Sequence, residues 1–474
     1  MDKTAIKNYA IYARNKLIQS TKDKAATIGI YEDKVVAPSS KGQDFEVYTS
    51  SIGTNVTLNK EEIVQRENLI KKIHNDGYKE TIEEIAYTWF NRIIAIRFME
   101  VNDYLPSRVR VLSSENAGQK ESDLMQSPFS VDFSYTQKER ELIVSLKDQN
   151  KIDELFKVLF IKACNELSNN LPDLFEKTID YTELLFDIRY NDPNDVIYKL
   201  VNEIPESNFN VEEEGQVEII GWMYQYYISE KHNQVINMTK GTIKKEDIPA
   251  ATQLWTTDWV VRYMVDNSLG RYWIERNPHS NLKNKLEFLA LPKKGKLTYI
   301  NEKISPEDLK FLDPCMGSGH ILVYAFDVLM EIYRECGYLD RDASKLIIEK
   351  NLFGLDIDKR AFQLSYFALM MKARQYNRRA LSMNIQNNVT DFIETNNIEG
   401  INFPGMFENK DMEKITSSLI SIFKDALELG SLISIPNYDY EEYKTYLNDV
   451  NEKSELTTYF FDWQKNTYPN LLKA

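Results

Sequence analysis

Phe311-Leu312-Asp313-Pro314-Cys315-Met316-Gly317-Ser318-Gly319-His320 is the stretch on which the reading of this 474-residue chain turns. The apolar run from Leu309 to Leu312 predicts a strand, and Pro314 disfavours helical geometry at Asp313, which holds that carboxylate at the strand end. Gly317 and Gly319 let the backbone turn tightly and leave room for a ligand against bare peptide. A helix from His320 to Cys336, stopped by Gly337, follows, then a short helix over Ala343–Lys350, a strand over Leu352–Ile357 and a helix over Lys359–Tyr376. Strand, helix, strand in this order implies a parallel sheet with a right-handed crossover, whose ligands bind outside the carboxyl ends of the strands. The second strand ends Gly354-Leu355-Asp356-Ile357-Asp358, and an acid such as Asp356 at a strand tip can accept both hydroxyls of a ribose.

Spacing separates three readings of this nucleotide-type site. A phosphate-binding loop needs a lysine that does not follow Gly319. A dinucleotide fingerprint needs a third glycine and an acid about 20 residues on, whereas Ile321 and Leu322 follow here and Asp356 lies 37 residues after Gly319. A ligand without pyrophosphate fits both the missing lysine and the leading Asp313, with its amino-acid end over the glycine turn and its ribose on Asp356. S-adenosylmethionine is such a ligand.

The run from Asp313 through His320 resembles the DPxxGSGxx first motif of the N6-adenine DNA methyltransferases. Further segments are similar to the N-terminal part of the PglX-type methyltransferases of BREX phage-defence systems: MDKTAIKNYAIYARNKL, AYTWFNRIIAIRFMEVNDYLP, IPAATQLWTTDWVVRYMVDNSLGRYW and NLFGLDIDKRAFQLSYFALMMKAR. The resemblance covers essentially the whole chain. It implies an α/β fold, an incomplete Rossmann-like S-adenosylmethionine-dependent methyltransferase sheet preceded by a mainly helical N-terminal domain. It also implies that Asp313, Pro314, Gly317, Ser318 and Gly319 surround the methionyl part of the cofactor, that Asp356 holds its ribose, and that Asp391, in Asn388-Val389-Thr390-Asp391-Phe392, is the acid near the adenine ring. Read without the resemblance, Asp391 is a surface aspartate in a loop. The family segment before the first motif commonly reads TPxxVVxxMV; here it is Thr256-Thr257-Asp258-Trp259-Val260-Val261, so Thr256 joins the cofactor pocket and Thr257, standing where proline is usual, is expected to cap the helix. His320 reads as a helix-start residue, with no second His or Cys near enough for a metal site, and Cys315 as turn packing.

Outward from this motif, 43% hydrophobic residues with Gly 17 and Pro 14 describe a folded chain of two or three domains. Apolar residues recur at helical spacing through the first half, from Lys79 to Glu100, around Leu155–Leu167 and around Ile219–Tyr226, and strand-like alternation is scarce. A polar, Ser-rich stretch from Ser113 to Gln137 reads as a long surface loop. The domains expected are a helical N-terminal domain over 1–235, the cofactor-binding part over 236–400 and a helical connecting segment over 401–474. No run approaches the roughly 18 apolar residues of a membrane span, no signal sequence opens the chain, and three cysteines without a CxxC pair suit a reducing compartment; the cytoplasm is the expected location. Residues 391–474 hold 15 acidic and 7 basic residues, more than half of the net charge of −14. Contact with double-stranded DNA therefore falls to local basic patches such as Lys372, Arg374, Arg378 and Arg379, whose alternative reading is a solvated helix face.

Adenine N6 is a weak nucleophile because its lone pair is delocalised into the ring. The family meets this with an Asp/Asn/Ser-Pro-Pro-aromatic tetrad that accepts the amine's hydrogens and stacks on the flipped base. No two prolines adjoin in this chain: Asp192-Pro193 precedes Asn194, Asn277-Pro278 precedes His279, and Asp313-Pro314 precedes Cys315. The expectation is a cofactor-binding piece of an adenine-specific methyltransferase, with no catalytic residue of its own. A companion polypeptide would carry the tetrad and target recognition, and other phage-defence proteins would be partners. Alternatives are a type I restriction-modification methyltransferase subunit and a non-catalytic assembly module.

Overall fold

Tyr78–Val101 carries apolar side chains on too many faces to lie on a surface. The computed structural model describes residues 2–454 apart from 51–52, 117, 177–180, 214, 239–242, 244–246, 253–255, 294–296 and 397–408, and in it this helix runs through the interior. It buries Trp89, Phe90, Ile93, Ile94 and Ile96 together with Asn91, Arg92, Arg97 and Glu100. The helices Lys3–Thr27 and Lys60–Asp76 pack against it, and Ile219–Met238 lies along Lys3–Thr27. Buried charges on such a helix need partners. Arg97 donates to Glu100 (2.8 Å) and to Ser113 Oγ (2.9 Å), while the second oxygen of Glu100 accepts the N–H groups of Val111 and Leu112.

That network corrects the reading of Ser113–Gln137 as a surface loop. Glu100 pins its start, Ser122 caps a short helix over Asp123–Gln126, and Leu124, Met125, Val131 and Tyr135 are buried. The scarcity of strands in the first half also needs correction. β1 (Ser40–Lys41), β2 (Phe45–Thr49) and β3 (Asn55–Asn59) form an antiparallel sheet. The apolar alternation Phe45, Val47 marks a strand but the wrong face: Glu46 and Tyr48 of β2 and Leu58 of β3 are buried, and Phe45 is exposed.

The second sheet is parallel throughout, in the order β4 (Phe311–Asp313), β5 (Leu352–Asp356), β6 (Val389–Asp391). β4 starts later than the apolar run suggested, because Leu309 closes the short helical turn Pro306–Asp308 with its N–H on the Pro306 carbonyl. β6, read from sequence as a loop, extends the sheet by a third strand. The helices His320–Glu335 and Lys359–Tyr376 pack on β5 and on each other, and Lys359–Tyr376 also meets Tyr78–Val101 and Ile219–Met238. One apolar core runs without a break from Ile6 to Val389. Met412, Leu419, Phe423, Ala426, Tyr443 and Leu447 form a separate cluster across the helices Lys410–Ile422, Ala426–Leu429 and Tyr440–Ser454, Phe423 just after the first of them; the expected end of the connecting segment, 455–474, lies outside the described residues.

The basic cluster divides. Lys372 is buried and bonded to Asp327 at 2.8 Å, which removes it from both the phosphate-gripping and the solvated reading, and Arg374 lies over the Tyr104 ring. Among the described residues no helix is long and apolar enough to cross a membrane.

Asn351, fully buried where the chain enters β5, donates to the carbonyls of Pro306 and Leu309 (both 2.8 Å) and accepts from Tyr333 OH (2.9 Å), tying the approach to β4 to the start of β5. Asn351→Leu keeps the branched shape but is bulkier, and it takes this partner from the Leu309 carbonyl and the Tyr333 hydroxyl, while the Pro306 carbonyl keeps the Leu309 N–H (3.3 Å); urea unfolding is expected to show a loss of about 2–4 kcal/mol.

Candidate functional site

Three acids stand at the carboxyl ends of the three parallel strands. The register pairs Asp313 with Gly354 and Asp356 with Asp391, so Asp356 and Asp391 are direct neighbours across β5 and β6. Asp391 is 8% exposed, and the surface-loop reading of it is wrong: three residues of strand are too few to show a period in sequence. The glycine turn is folded over these tips. Met316 N–H donates to Leu355 O (3.0 Å), Gly317 N–H to Asp356 Oδ2 (2.8 Å) and Cys315 N–H to Asp313 Oδ1 (3.1 Å). Asp313 Oδ2 is buried without a hydrogen-bond partner.

Close approach dictates two of the glycines. At Gly319 the backbone is left-handed (φ +82°), and a Cβ there would collide with Ser365 on the Lys359–Tyr376 helix. At Gly354, mid-strand, a Cβ would stand 2.5 Å from Met316 Sδ and 2.9 Å from Leu322 Cδ1. Gly354 is thus part of the site's construction, a role its neighbours in sequence do not reveal. Gly317 (φ +54°) differs, because a Cβ there would meet nothing within 4 Å. The turn is open on that side, next to the half-buried Ser318 and the exposed Pro314.

The electrostatics favour a cation or a hydroxyl donor. Burial pushes the Asp356 carboxyl up; the N–H donors of Asp358 and Gly317 oppose this, and the negative charges of Asp358 and Asp313 reinforce it. Burial also raises Asp313, with only the Cys315 N–H acting against it. A phosphate would meet repulsion here. A ligand bearing an ammonium, a sulfonium and ribose hydroxyls matches the acid set, the orphaned oxygen of Asp313 and the open face of Gly317, so the residues present fit S-adenosylmethionine.

Other forecast residues are placed as follows. Thr256 is half-buried just before the Asp258–Val265 helix. Thr257 occupies the capping position but its side chain makes no capping hydrogen bond, contrary to expectation; its carbonyl accepts from Val260 and Val261. This helix lies against His320–Glu335, and Asp258 Oδ1 is 4.0 Å from His320 Nε2. Burial lowers the His320 pKa, opposed by Asp258. Cys315 is exposed, so it does not pack the turn; Met316 does. Burial and then the charges of Asp313 and Asp356 raise the Cys315 thiol, which disfavours the thiolate.

Asp358 was passed over in sequence, although an Asp two residues after a strand-tip acid and at the start of a helix is a recognisable cap. Its N–H donates to Asp356 Oδ1 at 2.8 Å, and its own carboxylate caps Lys359–Tyr376 by accepting from Arg360 N–H (3.0 Å).

Comparison with known proteins bears on the whole chain. It is 41% identical over 469 residues to the adenine-specific methyltransferase PglX of Lacticaseibacillus casei (strain Zhang), a match covering 93% of this chain and 38% of that protein. It is 36% identical over 481 residues to the adenine-specific methyltransferase BrxX of Escherichia coli O9:H4 (strain HS), covering 94% and 39% respectively. The resemblance to the PglX-type methyltransferases is real. A match of 23% identity over 229 residues joins 43% of the chain to 17% of a putative type II restriction enzyme and methyltransferase, RM.MjaORFECS2P, of Methanocaldococcus jannaschii. No protein-family model matches. The chain spans less than two-fifths of the length of the PglX and BrxX relatives.

The two turn glycines give opposite expectations. Gly319→Ala combines a left-handed alanine with a collision and is expected to cost about 3 kcal/mol, whereas Gly317→Ala, with open space before it, is expected to cost about 1 kcal/mol. Denaturant midpoints of the two variants compared with the parent chain check the order.

Proposed function

We propose that these residues form the cofactor-holding part of a site-specific, adenine-specific DNA methyltransferase acting in BREX-type phage defence in the cytoplasm, with S-adenosylmethionine as methyl donor and double-stranded DNA as acceptor. The observation that carries the reading is the acid at each of three adjacent parallel strand tips, one with an orphaned buried oxygen, beneath a glycine turn that leaves peptide bare. The relatives' names supply the reaction class. The three-stranded sheet is read as part of a Rossmann-like methyltransferase sheet, over residues 236–400, with the helical region 1–235 before it and the helices after 401 as a connection.

S-adenosylmethionine supplies a methyl group made electrophilic by its sulfonium. Asp313 takes the ammonium with its unpaired oxygen, while Pro314, Gly317, Ser318 and Gly319 shape the surface on which the methionyl part lies. Asp356 accepts the ribose hydroxyls, Asp391 the adenine amino group, and Thr256 closes the side formed by the Asp258–Val265 helix. No residue here is assigned to activation of the acceptor amine, because the sequence has no Pro-Pro tetrad. The tetrad is read as coming from outside these residues. β4 is an edge strand among the described residues, with Leu312 57% exposed, and a parallel sheet left bare at such an edge is unusual. We place a strand from outside these residues along that edge, and other phage-defence proteins further out.

Calorimetry with S-adenosylmethionine tests the cofactor reading. Asp356→Ala is expected to weaken binding by about 100-fold, the worth of two hydrogen bonds to a charged acceptor. An unchanged affinity would remove Asp356 from the site, and no binding by the parent chain would favour an assembly module.

Acidification supplies an independent check. Asp313 and Asp356 are both raised by burial and must be ionised, Asp313 to hold the ammonium and Asp356 to accept both ribose hydroxyls. Affinity is therefore expected to be full above their raised pKa values and to decline as pH falls through them, before ordinary carboxylates near pH ~4 begin to titrate. Binding that stays level down to that point contradicts the assignment.

A further inference from the structure

The acid read as the ribose acceptor is not held by its own strand alone. Asp356 Oδ1 accepts from the N–H of Asp358 at 2.8 Å, so the carboxylate's orientation depends on where Asp358 is fixed. Asp358 is buried, and two groups besides the capping Arg360 N–H hold its side chain. Arg360 Nε donates to Oδ1 at 2.8 Å from two residues on, and Tyr224 OH donates to Oδ2 at 2.8 Å from 134 residues earlier in the chain. Tyr224 belongs to the Ile219–Met238 helix of the front half. Its ring is fixed in turn, edge-on to Tyr87 with centroids 5.6 Å apart, and Arg360 lies 5.6 Å from the same Tyr87 ring. Burial alone would raise the Asp358 carboxyl; Arg360, then Tyr224, hold it below the ordinary carboxylate range, so it is an ionised acceptor.

We infer that Tyr224 is a positioning residue for the cofactor's ribose: its hydroxyl fixes Asp358, whose backbone N–H aims the Asp356 carboxylate, so that the helical front half completes the cofactor site without touching the ligand. This rests on the reading of Asp356 as the ribose acceptor. A helix-cap aspartate needs no partner from a distant element, since the Arg360 N–H already satisfies its capping role. A neutral hydroxyl donated to it across a buried interface adds direction to the Asp358 backbone, and through it to Asp356.

The test uses the full chain, S-adenosylhomocysteine and the 2′,3′-dideoxy form of that ligand, with affinities measured by calorimetry. Tyr224→Phe keeps the ring and its packing and removes only the donor. It is expected to weaken S-adenosylhomocysteine by about five- to tenfold, the net worth of one hydrogen bond, and to leave the dideoxy ligand unchanged. Tyr227→Phe is the control, because that buried hydroxyl on the same helix has no hydrogen-bond partner and its removal is expected to change neither affinity. A parent chain that discriminates between the ligands, with Tyr224→Phe weakening both equally or neither, overturns the role given to Tyr224 and leaves Asp356 in place. A parent chain that binds neither ligand, or binds them equally, overturns the ribose assignment and this inference with it. Should Tyr224→Phe fail to fold, Tyr224→Met fills the site with a flexible apolar side chain and likewise removes the donor; full parental discrimination in that variant counts against the inference, and loss confined to the ribose-bearing ligand supports it.

Discussion

The Asp356 carboxylate accepts one backbone hydrogen bond from the glycine turn and another from the start of the following helix, and the geometry of the strand tips depends on that pair. Burying an ionised carboxylate costs several kcal/mol. Two N–H donors offset much of that cost, each worth about 1.5–3 kcal/mol to a charged acceptor. The residual cost shows as the raised carboxyl of Asp356. This acid therefore does structural work of its own: it joins Gly317 of the glycine turn to Asp358 at the start of the following helix.

The acids at the tips divide by environment. Asp358 has an arginine and a tyrosine and stays ionised, whereas Asp313 and Asp356 have no cation among the causes that set their pKa values. Raised acids and an orphaned oxygen suit a positive partner of the kind the proposed cofactor would supply. The net charge of −14 is thus no obstacle to a nucleotide-derived ligand without phosphates. It also explains why the phosphate-binding readings fail on chemistry as well as on spacing.

How much was legible in sequence follows from the range of each interaction. The Asp313–His320 turn was readable because proline and glycine act within one or two residues, and the long helices because their apolar periods repeat over many. β6 escaped because three residues show no period, and with it the placement of Asp391. Lys372 looked like one charge of a basic cluster; only the fold brings Asp327 to it. The Tyr224–Asp358 bond spans 134 residues and has no local signature. Gly354 is intermediate: its presence mid-strand is visible, but the reason for it, the Met316 side chain pressing down from the turn, is not.

That last contact bears on why the front half and the sheet share one core. Met316 lies over β5, Ser365 lies behind Gly319, and Ser365 sits on the same helix whose first turn holds Asp358 and Arg360. Any shift of Lys359–Tyr376 along its axis would move the support of the glycine turn and the N–H donor to Asp356 together. Two elements of the front half, Ile219–Met238 and Tyr78–Val101, pack against this helix, and interiors packed to crystalline density transmit such shifts instead of absorbing them. The sheet alone, three short strands among the described residues with β4 at its edge, has too little buried surface to hold that helix in register. The helical region is therefore needed for the position of the strand-tip acids, and a sheet excised from it would keep the residues of the site without their geometry.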